Sequence, residues 1–346
     1  MTSIIAPTDA RLAALHDWLA TTLRTRDYTL APASADASFR RYFRVTLATP
    51  AAIAGDARTL VAMDAPPPQE NCAPFVHVAA LLAAAGIHAP TVHAQDLDRG
   101  FLLLTDLGTT TYLQALDEDN ANALFADAMD TLVRWQSATR EGVLPPYDAT
   151  LLRRELMLFP EWYLARHREV TLTDKEQASL LTVFERIIAA NLAQPAVFVH
   201  RDFMPRNLMV STPNPGVLDF QDAVVGPITY DVASLFKDAF LSWPEERVLD
   251  WTIRYWERAR RARLPVPSDF ALFWRDVEWM GLQRHLKVLG IFARICHRDG
   301  KPAYVEDTPR FLAYVRPVAG RYGELKPLLR LLDRIEQRAT TTGYTF

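Results

Sequence analysis

The chain has 346 residues, 49% hydrophobic and 23% charged, enough for one large or two ordinary globular domains with a sizeable core. A net charge of −3 argues against a nucleic-acid binder held by a basic surface, and two cysteines, Cys72 and Cys296, cannot build a disulfide framework or a four-cysteine metal site. No apolar run is long enough to span a bilayer and residues 1–5 lack the basic and apolar regions of a signal peptide, so a cytoplasmic protein without membrane contact is expected.

Leu12, Leu15, Trp18, Leu19 and Leu23 recur at helical spacing and predict an amphipathic helix over 8–24. Segments 29–32, 39–47 and 59–63 are short and rich in β-branched or aromatic residues, with turn material at 33–36 and near Gly55, which predicts a small meander. Beyond Pro66-Pro67-Pro68 a helix is predicted over 70–85, closed by Gly86, followed by strands at 91–94 and 101–104. From Gly108 the pattern changes to long helices at 120–139, 150–168, 173–193, 245–262 and 270–297. The expected fold class is therefore α+β: a small β-rich N-lobe at 1–107, a larger, mainly helical C-lobe at 108–346, and a connection near 104–108. Charge is uneven along this plan, with 16 basic and 23 acidic groups in residues 1–199 against 22 and 18 in residues 200–346.

Thirteen glycines, the first at Gly55, form neither a G-x-x-x-x-G-K-[ST] loop nor a G-x-G-x-x-G turn. Chemistry concentrates instead at residues 197–210, where apolar triplets flank a polar loop running from His200-Arg201-Asp202 to Asn207, and at Asp219, which ends a second apolar run at 216–218. Two short strands would present Asp202, Asn207 and Asp219 at one edge. That trio suits phosphoryl transfer: Asp202 accepts the attacking hydroxyl's proton, while Asn207 and Asp219 supply the oxygen ligands that Mg²⁺ requires against ATP phosphates. His200 is expected to hydrogen-bond backbone rather than titrate.

His200 to Asn207 with Asp219 resembles the catalytic and metal-binding segments of the kinase-like phosphotransferases, which include protein kinases, choline kinases and aminoglycoside phosphotransferases. The segment from Gly226 to Ala233 is similar to the small-molecule branch, whose Asp at the position of Asp231 caps a helix and steadies the catalytic loop. Residues 34–45, 63–67, 104–108 and 283–294 together resemble the bacterial anomeric N-acetylmuramate/N-acetylglucosamine kinases over almost the whole chain. That resemblance implies a protein-kinase-like bilobal fold and ATP-dependent phosphorylation of an amino sugar at C1 in cell-wall recycling.

Two departures from the general kinase pattern matter. The phosphate-covering loop lacks glycine, so small residues must let the backbone approach, with the Ser34 and Ser38 hydroxyls capping phosphate oxygens. Asp64 stands where the strand V-A-I-K would carry its lysine, so the cation must come from Arg40, Arg41 or Arg44; alternation sends Arg40 and Arg44 to one face and Arg41 to the other, and either face is open. Backbone groups of Thr105, Asp106 and Leu107 are expected to meet adenine. On helix 270–297, Gln283, Lys287 and Arg294 project beside the apolar stripe Leu282, Leu286, Leu289 and Ala293, and with Arg206 they are the expected sugar contacts. A monomer is expected. Two rival functions keep the fold: phosphorylation of an aminoglycoside or other amine-bearing acceptor, which the net basic charge of residues 200–346 disfavours, and nucleotide binding without turnover, which the missing lysine and glycines favour.

Overall fold

The computed structural model describes residues 9–35 and 39–336. Its chain divides into two compact units: Met1–Thr110 with Met209–Asp222, and Thr111–Leu208 with Ala223–Phe346.

The first unit opens with α1 (Ala10–Leu23), whose N-cap Asp9 accepts the Leu12 N–H at 3.0 Å and whose end is marked by Arg24 in the left-handed region. An antiparallel sheet follows, built from β1 (Tyr28–Ala35), β2 (Arg41–Leu47), β3 (Thr59–Asp64), β4 (Val92–Asp96) and β5 (Phe101–Thr105) in the order β1-β2-β3-β5-β4. Strand alternation puts Val45, Leu47, Leu60, Ala62, Phe101 and Leu103 on one face, where they pack against Leu15, Trp18, Leu19 and Leu23 of α1. Each valine, leucine or phenylalanine among them contributes about 1.5–3 kcal/mol when fully buried. The first strand runs past the expected turn to Ala35, because a bulge between Pro32 and Ser34 absorbs the irregularity without ending the pairing. Between β3 and β4, α2 (Ala73–Ala84) stops at Gly86, whose φ of +67° only glycine adopts at no cost.

Residues 209–222 belong with the first unit, which runs to Thr110, whereas the sequence division at 107 and 108 places them in the C-lobe. The reason is local bonding. Val210 N–H donates to the Thr110 carbonyl at 2.9 Å and Val217 N–H to that of His88 at 2.8 Å, and the Phe220 ring lies 4.6 Å from Phe75 of α2. This return carries the short pair β7 (Leu208–Met209) and β8 (Gly216–Val217).

The second unit is helical. It contains α3 (Tyr112–Ala115), α4 (Ala121–Ser137), α5 (Ala149–Leu158), α6 (Asp174–Leu192), α7 (Tyr230–Phe236), α8 (Glu245–Arg261), α9 (Phe270–Asp299), α10 (Thr308–Arg321) and α11 (Lys326–Ile335). One antiparallel pair, β6 (Ala196–Val199) with β9 (Val224–Pro227), brackets residues 200–223. Its main core joins Leu152 and Leu156 of α5, Phe184 and Ile187 of α6, Leu282, Leu286 and Leu289 of α9, and Phe311 and Val315 of α10, all buried. The predicted helix over 150–168 is not uniform: α5 ends at Leu158 and the chain winds more widely, as a π-helix, over Phe159–His167. Pro160 has no N–H for the α-helical ladder. Among the described residues no helix is long and apolar enough to cross a membrane.

Candidate active site

In the second unit β6 delivers the chain into a loop whose backbone is held by a distant carboxylate. Asp231 is fully buried and accepts the His200 N–H at 2.7 Å and the Arg201 N–H at 3.0 Å. Of the two expectations for Asp231, the helix cap is corrected, since it sits inside the first turn of α7 and makes no cap bond to that helix, while the hold on the loop that begins at His200 is what it does. Burial pushes its carboxyl up to about 7, against the pull of those two N–H donors. Arg201 has a φ of +76°, a conformation disfavoured for a residue with Cβ, and the next residue is Asp202. His200 bonds backbone, its Nδ1 taking the Asp202 N–H at 3.2 Å. Asn207 closes the 3₁₀ turn Pro205–Asn207, donating its own N–H to the Met204 carbonyl at 2.8 Å and its Nδ2 to that of Asp202 at 3.0 Å. The amide is thereby oriented, and Oδ1 is its atom able to accept or ligate.

In the first unit Asp219 follows β8 with a φ of +60°, left-handed backbone that Asp tolerates better than most residues. Its Oδ1 accepts the Gln221 Nε2 at 2.9 Å. Arg40, Arg41 and Arg44 separate clearly. Arg41 faces α1, where it and Arg11 clamp the fully buried Asp64: Arg41 Nε is 3.0 Å from Asp64 Oδ2, Arg11 Nε is 2.9 Å from Oδ1, and Arg41 also pairs with Asp9. Arg44 points from the other face to Asp106, with Nε···Oδ2 at 2.7 Å, and bonds the Gly108 carbonyl at 2.8 Å. Burial pushes the Asp106 carboxyl up, but Arg44 and the Gly108 N–H outweigh it and hold it below its ordinary value. Arg40 alone joins the acidic cluster around Asp219. Its guanidinium lies 2.9 Å from Glu70, and although burial opposes its charge, Tyr42, Glu70, Asp222 and Asp219 together hold it firmly protonated.

Ser38 lies outside the described residues, and Ser34 is placed by its backbone alone, in β1. Thr105 is committed to the sheet, its N–H donating to the Thr91 carbonyl at 3.0 Å. The expected sugar contacts do not form one surface. Gln283 and Lys287 are buried rather than projecting from a solvated face: Gln283 donates to the Leu152 carbonyl at 3.0 Å, and Lys287 pairs with Glu155 at 3.0 Å. The cause is that α9 is packed on several sides, so a 4 and 7 spacing no longer separates core from surface. Arg294 is half-buried beside Arg298 and Asp299, while Arg206 is exposed with its guanidinium 5.0 Å over the Phe240 ring. Glu70 and Glu155 carry no motif in the sequence; only their distance partners, Arg40 and Arg201 with Lys287, mark them out.

Residues 29–266 match the model of the phosphotransferase enzyme family. A Pseudomonas putida protein named N-acetylmuramate/N-acetylglucosamine kinase is 56% identical over 310 residues, 90% of this chain and 89% of its own length. A Pseudomonas aeruginosa protein of the same name is 53% identical over 341 residues, covering 96% and 98%. Among solved structures, a choline kinase from Cryptosporidium parvum aligns with a TM-score of 0.60 at 12% identity over 93% of this chain and 97% of that one. A streptomycin- and ATP-bound aminoglycoside phosphotransferase aligns at 0.58 and 16% identity over 89% and 97%, so the protein-kinase-like fold is shared across distant sequences. The chain belongs to the phosphotransferase enzyme family, among relatives named N-acetylmuramate/N-acetylglucosamine kinase.

Proposed function

We propose that this chain is an ATP- and magnesium-dependent kinase that phosphorylates the anomeric hydroxyl of N-acetylmuramate or N-acetylglucosamine. The observation that carries the chemistry is the braced loop from His200 to Asn207, in which one buried carboxylate fixes the backbone that carries Asp202. The substrate class rests on relatives more than half identical over nearly the whole chain.

Asp202 takes the proton of the sugar's C1 hydroxyl as that oxygen bonds to the γ-phosphorus and the bond to the ADP oxygen breaks. Asn207, with an amide oxygen, and Asp219, with a carboxylate, offer the oxygen donors that magnesium takes and are the residues that would hold it. When bound, magnesium neutralises phosphate charge. Arg40 replaces the lysine missing from β3, and Glu70 holds it in place, an arrangement that parallels the lysine–glutamate pair of other kinases. The Thr105 N–H is spent on the Thr91 carbonyl, so the contacts proposed for adenine are the Thr105 carbonyl and the backbone groups of Asp106 and Leu107.

Asp202→Asn is expected to lower kcat by about 10²–10⁴-fold with ATP affinity nearly unchanged, measured by steady-state kinetics and calorimetric titration. Near-native turnover would remove Asp202 from this role. Incubation with ATP and either N-acetylmuramate or kanamycin tests the acceptor. Proton-coupled phosphorus NMR of the product is expected to show phosphate on C1; exclusive phosphorylation of the drug would overturn the sugar assignment.

A further inference from the structure

Behind the catalytic loop, the second unit buries a cluster of charges that the reaction as described does not use. Glu155 of α5 is 5% exposed and its carboxylate takes three donors: an Arg201 guanidinium nitrogen at 2.7 Å, Lys287 Nζ of α9 at 3.0 Å, and the Tyr147 hydroxyl. Lys287 Nζ also donates to the Tyr230 hydroxyl at 3.1 Å, and the Arg201 guanidinium lies 5.9 Å from the Tyr147 ring centre. Two cations thus share one carboxylate. Burial opposes the charge on both, yet both are held protonated, by Glu155 and the tyrosines and also by Asp202, the second anion within reach of the pair. Glu155 in turn is raised by burial and brought back below its ordinary value by Lys287 and Arg201.

Stability does not account for such a cluster, because desolvating several charges costs more than packing apolar groups of the same size. What the cluster specifies is the backbone. Arg201 is in the left-handed region and is gripped at both ends, its N–H by Asp231 and its guanidinium by Glu155. Asp202 is the next residue along.

We infer that Glu155 and Lys287 are positioning residues of the phosphoryl transfer. Glu155 anchors the Arg201 guanidinium so that the left-handed turn aims Asp202 at the acceptor hydroxyl. Lys287 keeps Glu155 ionised and leaves the cluster one positive charge for Asp202 to balance. The inference rests on Asp202 as proton acceptor and gives Lys287 a place inside the unit rather than on the sugar.

Kinetics and melting of five variants test it. Glu155→Gln is expected to lower kcat by about 10–100-fold, the scale on which misplacing a catalytic group by an ångström acts, with the KM for ATP nearly constant. Lys287→Arg, which keeps the charge, is expected to retain most turnover. The double variant Glu155→Gln/Lys287→Met leaves Arg201 balanced by Asp202; its Tm should recover towards the native value while kcat stays low. Native kcat in that double variant, or a change confined to the sugar KM in Lys287→Arg, would overturn the inference. Glu155→Asp keeps the charge and withdraws it by one methylene, covering the case in which the neutral variants do not fold; it should lower kcat several-fold, and native turnover would count against the role. Asp202→Asn is the control. Near-native turnover there overturns the proton acceptor and this inference together, whereas an inactive Asp202→Asn beside a native-like double variant overturns this inference alone.

Discussion

Arg40, Arg41 and Arg44 sit within five positions, yet they do three different things because their acidic partners differ. Arg41 answers Asp9 and Asp64, Arg44 answers Asp106, and Arg40 answers Glu70 in the cluster with Asp219. Arg40→Met is therefore expected to raise the KM for ATP by about tenfold or more, while Arg40→Lys, still cationic, loses less; equal losses in both would contradict a phosphate role. Arg44→Met should leave ATP kinetics nearly unchanged and cost about 1–3 kcal/mol of folding stability, since it strands the mostly buried Asp106 carboxylate. Denaturant melts with paired kinetics separate these outcomes. Strand alternation in the sequence gives the split between Arg41 and Arg44, but not which face matters, because the deciding partners lie about 20 to 60 positions away. The spacing from His200 to Asn207 is legible without a fold, and the resemblance already gives Asp231 the steadying of that loop; the hold of Glu155 on the Arg201 guanidinium is not legible, since the two stand 46 positions apart.

At the level of elements, apolar periodicity locates α1, α2, α4, α6, α8 and α9 to within a few residues of their observed ends. It fails where proline intervenes. Residues 308–335 give no helix in the sequence reading because Pro309, Pro317 and Pro327 punctuate them, yet Pro309 and Pro327 fall in the first turns of α10 and α11, where a missing N–H costs nothing. The π-helical stretch after α5 begins at a proline too, Pro160, and next to it the packing is tight. α9 passes so close that a Cβ on Gly290 would stand 2.4 Å from the backbone carbonyl carbon of Leu158. Gly290→Ala is accordingly expected to destabilise the second unit by about 1–3 kcal/mol through overpacking. Calorimetry should show a lower Tm; an unchanged Tm would mean that the two helices can part at no cost.

For the molecule as a whole, stability should depend on pH through groups that burial has displaced in opposite directions. His285 is buried, stacks on Tyr314 at 4.8 Å and bonds the Lys237 carbonyl at 3.2 Å; burial first, then Arg284 and Lys237, hold it well below its ordinary 6.5. The folded chain keeps it neutral while the unfolded chain protonates it, so its contribution is present above 6.5 and lost as the pH falls. Asp231 runs the other way: raised to about 7, it contributes below its ordinary 3.8 and loses that contribution as the pH rises through 7. A comparison isolates the first effect. Between about pH 7 and about pH 5, the Tm of His285→Gln should fall less steeply than that of the native chain, and parallel slopes would exclude His285 as the cause. The α+β division and the order of most elements are legible from pattern alone, whereas the return of residues 209–222 to the first unit depends on backbone bonds that no periodicity encodes. Asp64 has a consequence for anyone searching or engineering this lineage. A profile that demanded a basic residue on the third strand would score this chain poorly, and a design that restored one by Asp64→Lys would bury a cation between two half-exposed ones, Arg11 and Arg41, with the carboxylate that joins them gone; the outcome would be a destabilised first unit rather than a better enzyme.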